Sequence, residues 1–287
     1  MNLLFILIAL LAFAGNSILG RMAMDDYQMN PQAFTVIRLV SGALVLSGLV
    51  VRLNMHQPPQ HNRWLPAVAL FVYAVSFSYA YQQLDAGVGA LILFGAVQMT
   101  MVTYSIVKQE ALTAKKLMGV LCAFAGLAYL LIPASNPTSS NITILGFMVM
   151  TLSGISWGAY TLLGRHSQNP LHNTASSFTK AAILSLLLLI PVVLQAKAMS
   201  TQGITLAVLS GAITSGLGYA VWYKVLPSLS SLQAGVVQLL VPVIATLGGI
   251  IWLNEALTMK LLVSMLIILT GIMLVFYSAE KKTTERS

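Results

Sequence analysis

The chain has 287 residues, of which 57% are hydrophobic and only 8% charged, with a formal net charge of +8 at pH 7 and a mean hydropathy of +0.85. Soluble domains carry about 25% charged residues, so this composition excludes a soluble enzyme with an oily core. The basic residues are scattered from loop to loop and form no patch, which excludes a nucleic-acid-binding surface.

Taken in chain order, apolar runs fall at residues 2–20, 33–53, 64–82, 87–107, 117–133, 144–164, 175–195, 204–224, 232–252 and 260–278. Each is long enough to cross a bilayer core of about 30 Å, and helices satisfy their own backbone in lipid. The expected fold is therefore an all-α integral membrane protein with ten transmembrane helices. The first run, "MNLLFILIALLAFAGNS", ends in Ala12-Phe13-Ala14 like a signal-peptidase site. No Lys or Arg precedes it, as an n-region would require, and it has a counterpart later in the chain, so it is expected to stay as a span. With the N-terminus inside, the inner segments hold ten cations: Arg52, Arg63, Lys108, Lys115, Lys116, Arg165, Lys224, Lys281, Lys282 and Arg286. The outer loops hold three, Arg21, Lys197 and Lys260. That asymmetry places both termini in the cytoplasm.

An internal repeat organises the spans. "AGNSILGR" from Ala14 aligns with "GAYTLLGR" from Gly158, an offset of 144 residues, and Phe34-Thr35 falls on Phe178-Thr179 at the same offset. "EALTAK" from Glu110 and "EALTMK" from Glu255 coincide at 145, as do Gly126-Leu127 and Gly271-Ile272. Each half holds an odd number of spans, so the second copy enters the membrane from the opposite side and the two repeats are inverted, an architecture of secondary transporters. The expected boundaries are 2–133 for the first repeat, 134–143 for an outside linker, 144–278 for the second repeat and 279–287 for a cytoplasmic tail. In the duplicated EALTxK segments, Thr113 and Thr258 stand where an N-cap would open the fifth and tenth spans. Their glutamates read as parts of a shared structural turn.

Polar residues inside the membrane are the main guide to function. All seven acids fall in loops, span edges or the tail, and the four histidines fall in connections. No carboxylate or imidazole is left in the core for a proton relay, for hydrolysis or for a metal, so no catalytic residue, cofactor or metal site is expected. Two cations remain. Arg38 and Lys180 each lie about five residues, or roughly 7 Å, inside a span, on opposite sides. Either can snorkel to its interface, or face a central pathway and attract a carboxylate or phosphate. Gln98, with Thr100 nearby, and Gln238 lie deep in the fourth and ninth spans, where an unpaired amide is costly, so both are expected to face the interior. Asn16 and Tyr160 occupy matching repeat positions, and Asn16 shares the depth of Arg38. Tyr219, Trp222 and Tyr223 end the eighth span, and the last two, beside Lys224, read as part of an interfacial aromatic belt. Cys122 reads as a packing residue.

The opening motifs "FAGNSILGR" and "SWGAYTLLGR", the Arg in "FTVIRLVSGAL", the segments "YQQLDAGVGALILF" and "LQAGVVQLLVPVIATLGGIIWLNEALT", and the glutamate turn before a Gly-containing span recur in order and in duplicate. Together they resemble the EamA family of the drug/metabolite transporter superfamily, over the whole chain. The second copy has the family's proline in its fourth span, Pro242, where the first has Val97; the resemblance implies that Pro242 allows helix bending in one half only. The second copy carries the motif tryptophan, Trp157, where the first has Phe13. The resemblance implies transport of small metabolites.

The expected function is an exporter or facilitator of small metabolites such as amino acids, working by alternating access in a bacterial inner membrane. Its partners would be a small-molecule substrate and the lipid bilayer, with monomer and homodimer both open. The substrate pathway would use Asn16, Arg38, Gln98, Thr100, Trp157, Tyr160, Lys180 and Gln238. A lipid-carrier or drug flippase is the alternative within transport, and an intramembrane enzyme or a scaffold the alternative outside it.

Overall fold

The computed structural model describes residues 2–53, 64–107, 114–132, 143–164, 167, 169–190, 192, 199–226, 237–238 and 240–284. Glu110 and Thr113 of the first EALTxK segment, and linker residues 134–142, lie outside them. The described residues are helical and include no strand.

In chain order the helices are α1 (Asn2–Asp25), α2 (Pro31–Arg52), α3 (Leu65–Ala80), α4 (Ala86–Val107), α5 (Ala114–Leu131), α6 (Ile144–Gly164) and α7 (Pro170–Ser185), which continues as a 3-10 turn over Leu186–Leu188. They are followed by α8 (Thr201–Val225), α9 (Leu240–Leu253) and α10 (Met259–Thr284). Five of them, α1, α2, α4, α6 and α8, are at least 18 residues long and apolar enough on average to cross a membrane by length and composition; α3, α5, α9 and α10 contribute shorter apolar helices.

Local chemistry sets the helix starts. Asn30 accepts hydrogen bonds from the N–H groups of Gln32 and Ala33 ahead of Pro31. Ser200 caps Gly203 at 3.0 Å, Thr143 caps Gly146 at 3.1 Å, and Thr258 caps Leu261 at 3.1 Å. The cap expected at Thr258 is thus present, and each of these side chains satisfies an orphan donor of a first turn.

Helices approach closely where the sequence supplies small residues. α5 packs along α10, with Gly126 against Ile268 and Gly271 against Ala123, and Cys122 facing the carbonyl of Ile267 at 3.5 Å. Cys122 is a packing residue, as expected. α6 packs on α3 and α4; a Cβ on Gly154 would stand 2.4 Å from the carbonyl oxygen of Leu93. α2 packs on α7 and α8 through Gly42, which faces Phe178, and Gly211, which faces the backbone of Arg38. Large apolar side chains such as Leu44, Leu121, Leu187, Ile251 and Leu266 point outward, the disposition that lipid requires.

α8 is not regular. Residues Ser210–Leu217, "SGAITSGL", form a π-helical stretch. Its wider turn places Ser210, Thr214 and Ser215 toward α1 and α2. Such stretches concentrate at functional sites, and this one forms a wall of the site described next.

Candidate functional site

The centre of the bundle is built around Arg38. Its side chain is 1% exposed, so it does not snorkel. Nε donates to Ser215 Oγ at 3.1 Å and Nη2 donates to Tyr73 Oη at 2.8 Å. The guanidinium also lies over the rings of Phe77 and Tyr73, 4.5 and 5.1 Å from their centroids. Nη1 has no hydrogen-bond partner, and among the described residues no carboxylate lies within ion-pair distance of this arginine. A buried charge without a counter-charge costs several kcal/mol, of which two hydrogen bonds and the ring faces offset a part.

Tyr73 is the hub. Its hydroxyl accepts from Asn16 Nδ2 at 3.2 Å as well as from Arg38, and lies 3.5 Å from the hydroxyl of Tyr219. Asn16 Oδ1 in turn accepts from Ser210 at 2.6 Å and Thr214 at 3.3 Å. Asn16 and Arg38, expected to share a depth, are therefore joined through Tyr73 and not directly. Aromatic rings surround this polar line. Trp157 stands 5.0 Å from Tyr73 and 4.6 Å from Tyr219, Phe13 lies 6.1 Å from Trp157, and Phe178 lies 5.5 Å from Tyr219.

Phe13, Asn16, Ser17, Tyr73, Phe77, Leu93, Phe94, Trp157 and Tyr219 line a cavity of about 10 Å³, room for about one water. Gln98 follows Phe94 by four residues, on the same face of α4. It is 1% exposed, and neither of its amide atoms has a hydrogen-bond partner.

The other expected pathway residues are distributed more widely. Tyr160 is buried next to Trp157, at 5.5 Å, and Tyr223, at 6.5 Å. Thr100 turns its hydroxyl back to the carbonyl of Ala96 at 2.8 Å and packs against Gly158. Gln238 is buried before α9, and the carbonyl of Pro242 accepts from Thr246 Oγ1 at 2.8 Å. Lys180 lies apart from the centre; its ammonium is 5.7 Å from the Trp64 ring at the start of α3. The belt expected of Trp222 and Tyr223 is corrected. They are 1% and 5% exposed, because Phe13 packs on Trp222 at 5.7 Å and Tyr160 packs on Tyr223.

Sequence reasoning passed over Tyr73, a polar tip in an apolar span, and the run Ser210–Leu217 within α8, rich in Ser, Thr and Gly. It also treated Glu255 as part of a plain turn. The structure instead brings Glu255 Oε1 to 3.8 Å from Arg21 Nε and within 2.7 Å of the Ala86 N–H.

The comparisons agree with this architecture. A profile described as the EamA-like transporter family matches residues 1–132 and again 144–277. An uncharacterized protein of Pseudomonas aeruginosa is 45% identical over 274 residues, 96% of this chain and 94% of its own length. An uncharacterized transporter of Archaeoglobus fulgidus is 26% identical, covering 88% of this chain and 89% of its own. A protein of Salmonella typhimurium named "Probable amino-acid metabolite efflux pump" is 25% identical and covers 71% of each chain. A crystal structure of 16% sequence identity superposes with a TM-score of 0.68 over 96% of this chain and 97% of its own, and so shares the fold. Both halves of this multi-pass membrane protein match the same profile, and the chain belongs to the EamA-like transporter family.

Proposed function

We propose that this transporter exports small carboxylate-bearing metabolites, amino acids among them, across a bacterial inner membrane by alternating access. The carrying observation is Arg38: a fully buried cation with one free nitrogen, no carboxylate partner among the described residues, and a cavity lined by the groups that hold it. An anion is the ligand that such a site stabilises best. The rings of Phe13, Trp157 and Tyr219 offer the solute's apolar part a surface, and Gln98, one turn beyond Phe94, offers an amide to a second polar group.

A cavity of about 10 Å³ is far below the few hundred Å³ of a small-molecule site. A solute therefore enters only when helices part, which is what alternating access supplies. In this reading residues 2–133 and 144–278 are two inverted five-helix repeats with cytoplasmic termini. The two separate profile matches and the loop charge asymmetry support that arrangement. The efflux name of the Salmonella relative supports the direction of transport and the amino-acid class.

The test is efflux of a labelled amino-acid panel from bacteria expressing the chain, with and without a collapsed proton gradient, against Arg38→Gln. Loss of carboxylate efflux in Arg38→Gln supports the assignment. Unchanged efflux in that variant would refute it.

A further inference from the structure

The centre of the bundle holds more donors than acceptors. The Tyr73 oxygen accepts from Asn16 and Arg38, which occupies both of its lone pairs, and the Tyr219 hydroxyl stands 3.5 Å away as a further donor. Asn16 Oδ1 is filled in the same way, by Ser210 at 2.6 Å and Thr214 at 3.3 Å, and Ser215 Oγ accepts from Arg38 Nε at 3.1 Å. Arg38 Nη1 is left with its hydrogens unspent. Acceptors are what this centre is short of.

The acids of the chain do not make up the shortage. Asp25 and Asp26 lie where α1 ends, Asp85 precedes α4 and Glu255 precedes α10. Glu110 falls between α4 and α5, Glu280 in the last turns of α10 and Glu285 after it. Three of these acids are already engaged one turn beyond the cavity-lining Ser17, where Arg21 lies 3.1 Å from Asp25, 3.6 Å from Asp85 and 3.8 Å from Glu255. Among the described residues no carboxylate lines the cavity itself.

We propose that the central site selects apolar monocarboxylates that carry a keto or hydroxyl group beside the carboxylate, in preference to the corresponding amino acids. The inference rests on the transporter reading of this site and narrows its substrate class.

Charge decides the preference. A keto or hydroxy acid brings one negative charge, which leaves the occupied centre neutral. A zwitterionic amino acid brings no net charge, so the buried cation remains uncompensated overall, at a cost that grows where water is excluded. Hydrogen-bond supply points the same way. An ammonium carries three donors into a centre already rich in them. Gln98, one turn beyond Phe94, offers it a single unpartnered oxygen. A hydroxyl needs only that oxygen, and a keto group is met by the Gln98 Nε2, which also lacks a partner. The faces of Trp157 and Tyr219 attract a cation, but less strongly than a counter-charge does. The same rings, with Phe13, suit an apolar body.

The test is isothermal titration calorimetry on the full chain in detergent with phenylalanine, phenyllactate and phenylpyruvate. These share one apolar body and differ only in the group beside the carboxylate. At about pH 7 the carboxylates are ionised and the ammonium is protonated. Phenyllactate and phenylpyruvate should bind at least about tenfold more tightly than phenylalanine, and Arg38→Gln should weaken both by at least about tenfold. Phenylalanine bound as tightly as the other two, or more tightly, overturns the proposal; if Arg38→Gln still abolishes its binding, the assignment of carboxylate recognition to Arg38 stands. Failure of all three to bind, or binding unchanged in Arg38→Gln, overturns both. If Arg38→Gln does not fold, phenyllactamide serves, since it keeps the body and the hydroxyl but carries no charge. It should bind at least about tenfold more weakly than phenyllactate, and equal binding overturns the proposal.

Discussion

The hydroxyl of Tyr73 on α3 accepts the guanidinium of Arg38 on α2 at 2.8 Å, and this bond couples the buried cation to everything else that is polar in the centre. Through the same oxygen, Asn16 of α1 joins, and through Asn16 the serine and threonine of α8. A charged site shared by four helices is the arrangement in which a solute's arrival can alter how those helices pack.

Arg38 and Lys180 entered the sequence reading as equals, and the structure separates them. Arg38→Gln should abolish carboxylate efflux, whereas Lys180→Ala, at a side chain set apart from the centre beside the Trp64 ring, should leave it within about twofold. Arg38→Lys should not rescue, because an ammonium cannot reproduce the forked donation to Ser215 and Tyr73. Equal losses at both positions in a flux assay would restore the symmetric pathway.

Gln98→Leu should raise thermal stability in detergent by about 1–3 kcal/mol, since it removes a buried amide with no partner, and should lower the affinity for solutes with a second polar group. A stability gain with transport intact would make Gln98 an unused amide.

Gly211→Ala should separate α2 from α8. Its Cβ would stand 2.1 Å from the Arg38 carbonyl oxygen and 2.0 Å from Ser41 Oγ, and a backbone neighbour cannot give way. The expected loss is about 1–3 kcal/mol or more, with reduced flux. Gly48→Ala, whose Cβ meets nothing within 4 Å, should gain about 0.5–1 kcal/mol from helix propensity. Unfolding curves of the two variants side by side check both.

Glu255 should make stability pH-dependent. A carboxyl raised to about 7 in the folded chain contributes stability that is complete below the ordinary carboxylate range and lost as pH rises through 7. Glu255→Gln should therefore melt with the parent chain near pH 5 and above it near pH 8. Parallel melting curves at both pH values would show that the carboxyl is not shifted.

Some of this was legible beforehand because it depends on pattern alone. Apolar runs, scarce charge and a repeated order of motifs are properties of the one-dimensional chain, and the bilayer converts them directly into helices. The cap at Thr258 is local chemistry of the same kind. The notion that Arg38 meets the pathway was also available, but only as one of two directions in which a long side chain can point.

The tertiary structure alone decided which direction that was. A helix face has no meaning until its neighbours are known: Tyr73 and Ser215 lie 35 and 177 residues from Arg38, and no local rule pairs them. The same holds for Trp222, which its neighbour Lys224 assigned to the interface and Phe13 drew into the core. Glu255 is the clearest case. Beside its own turn it is an ordinary surface acid; with Arg21 and Ala86 brought to it from 234 and 169 residues away, desolvation changes its chemistry. Membership in the membrane was determined by sequence, because hydropathy acts residue by residue; the site was determined by packing, because charge and burial act through space.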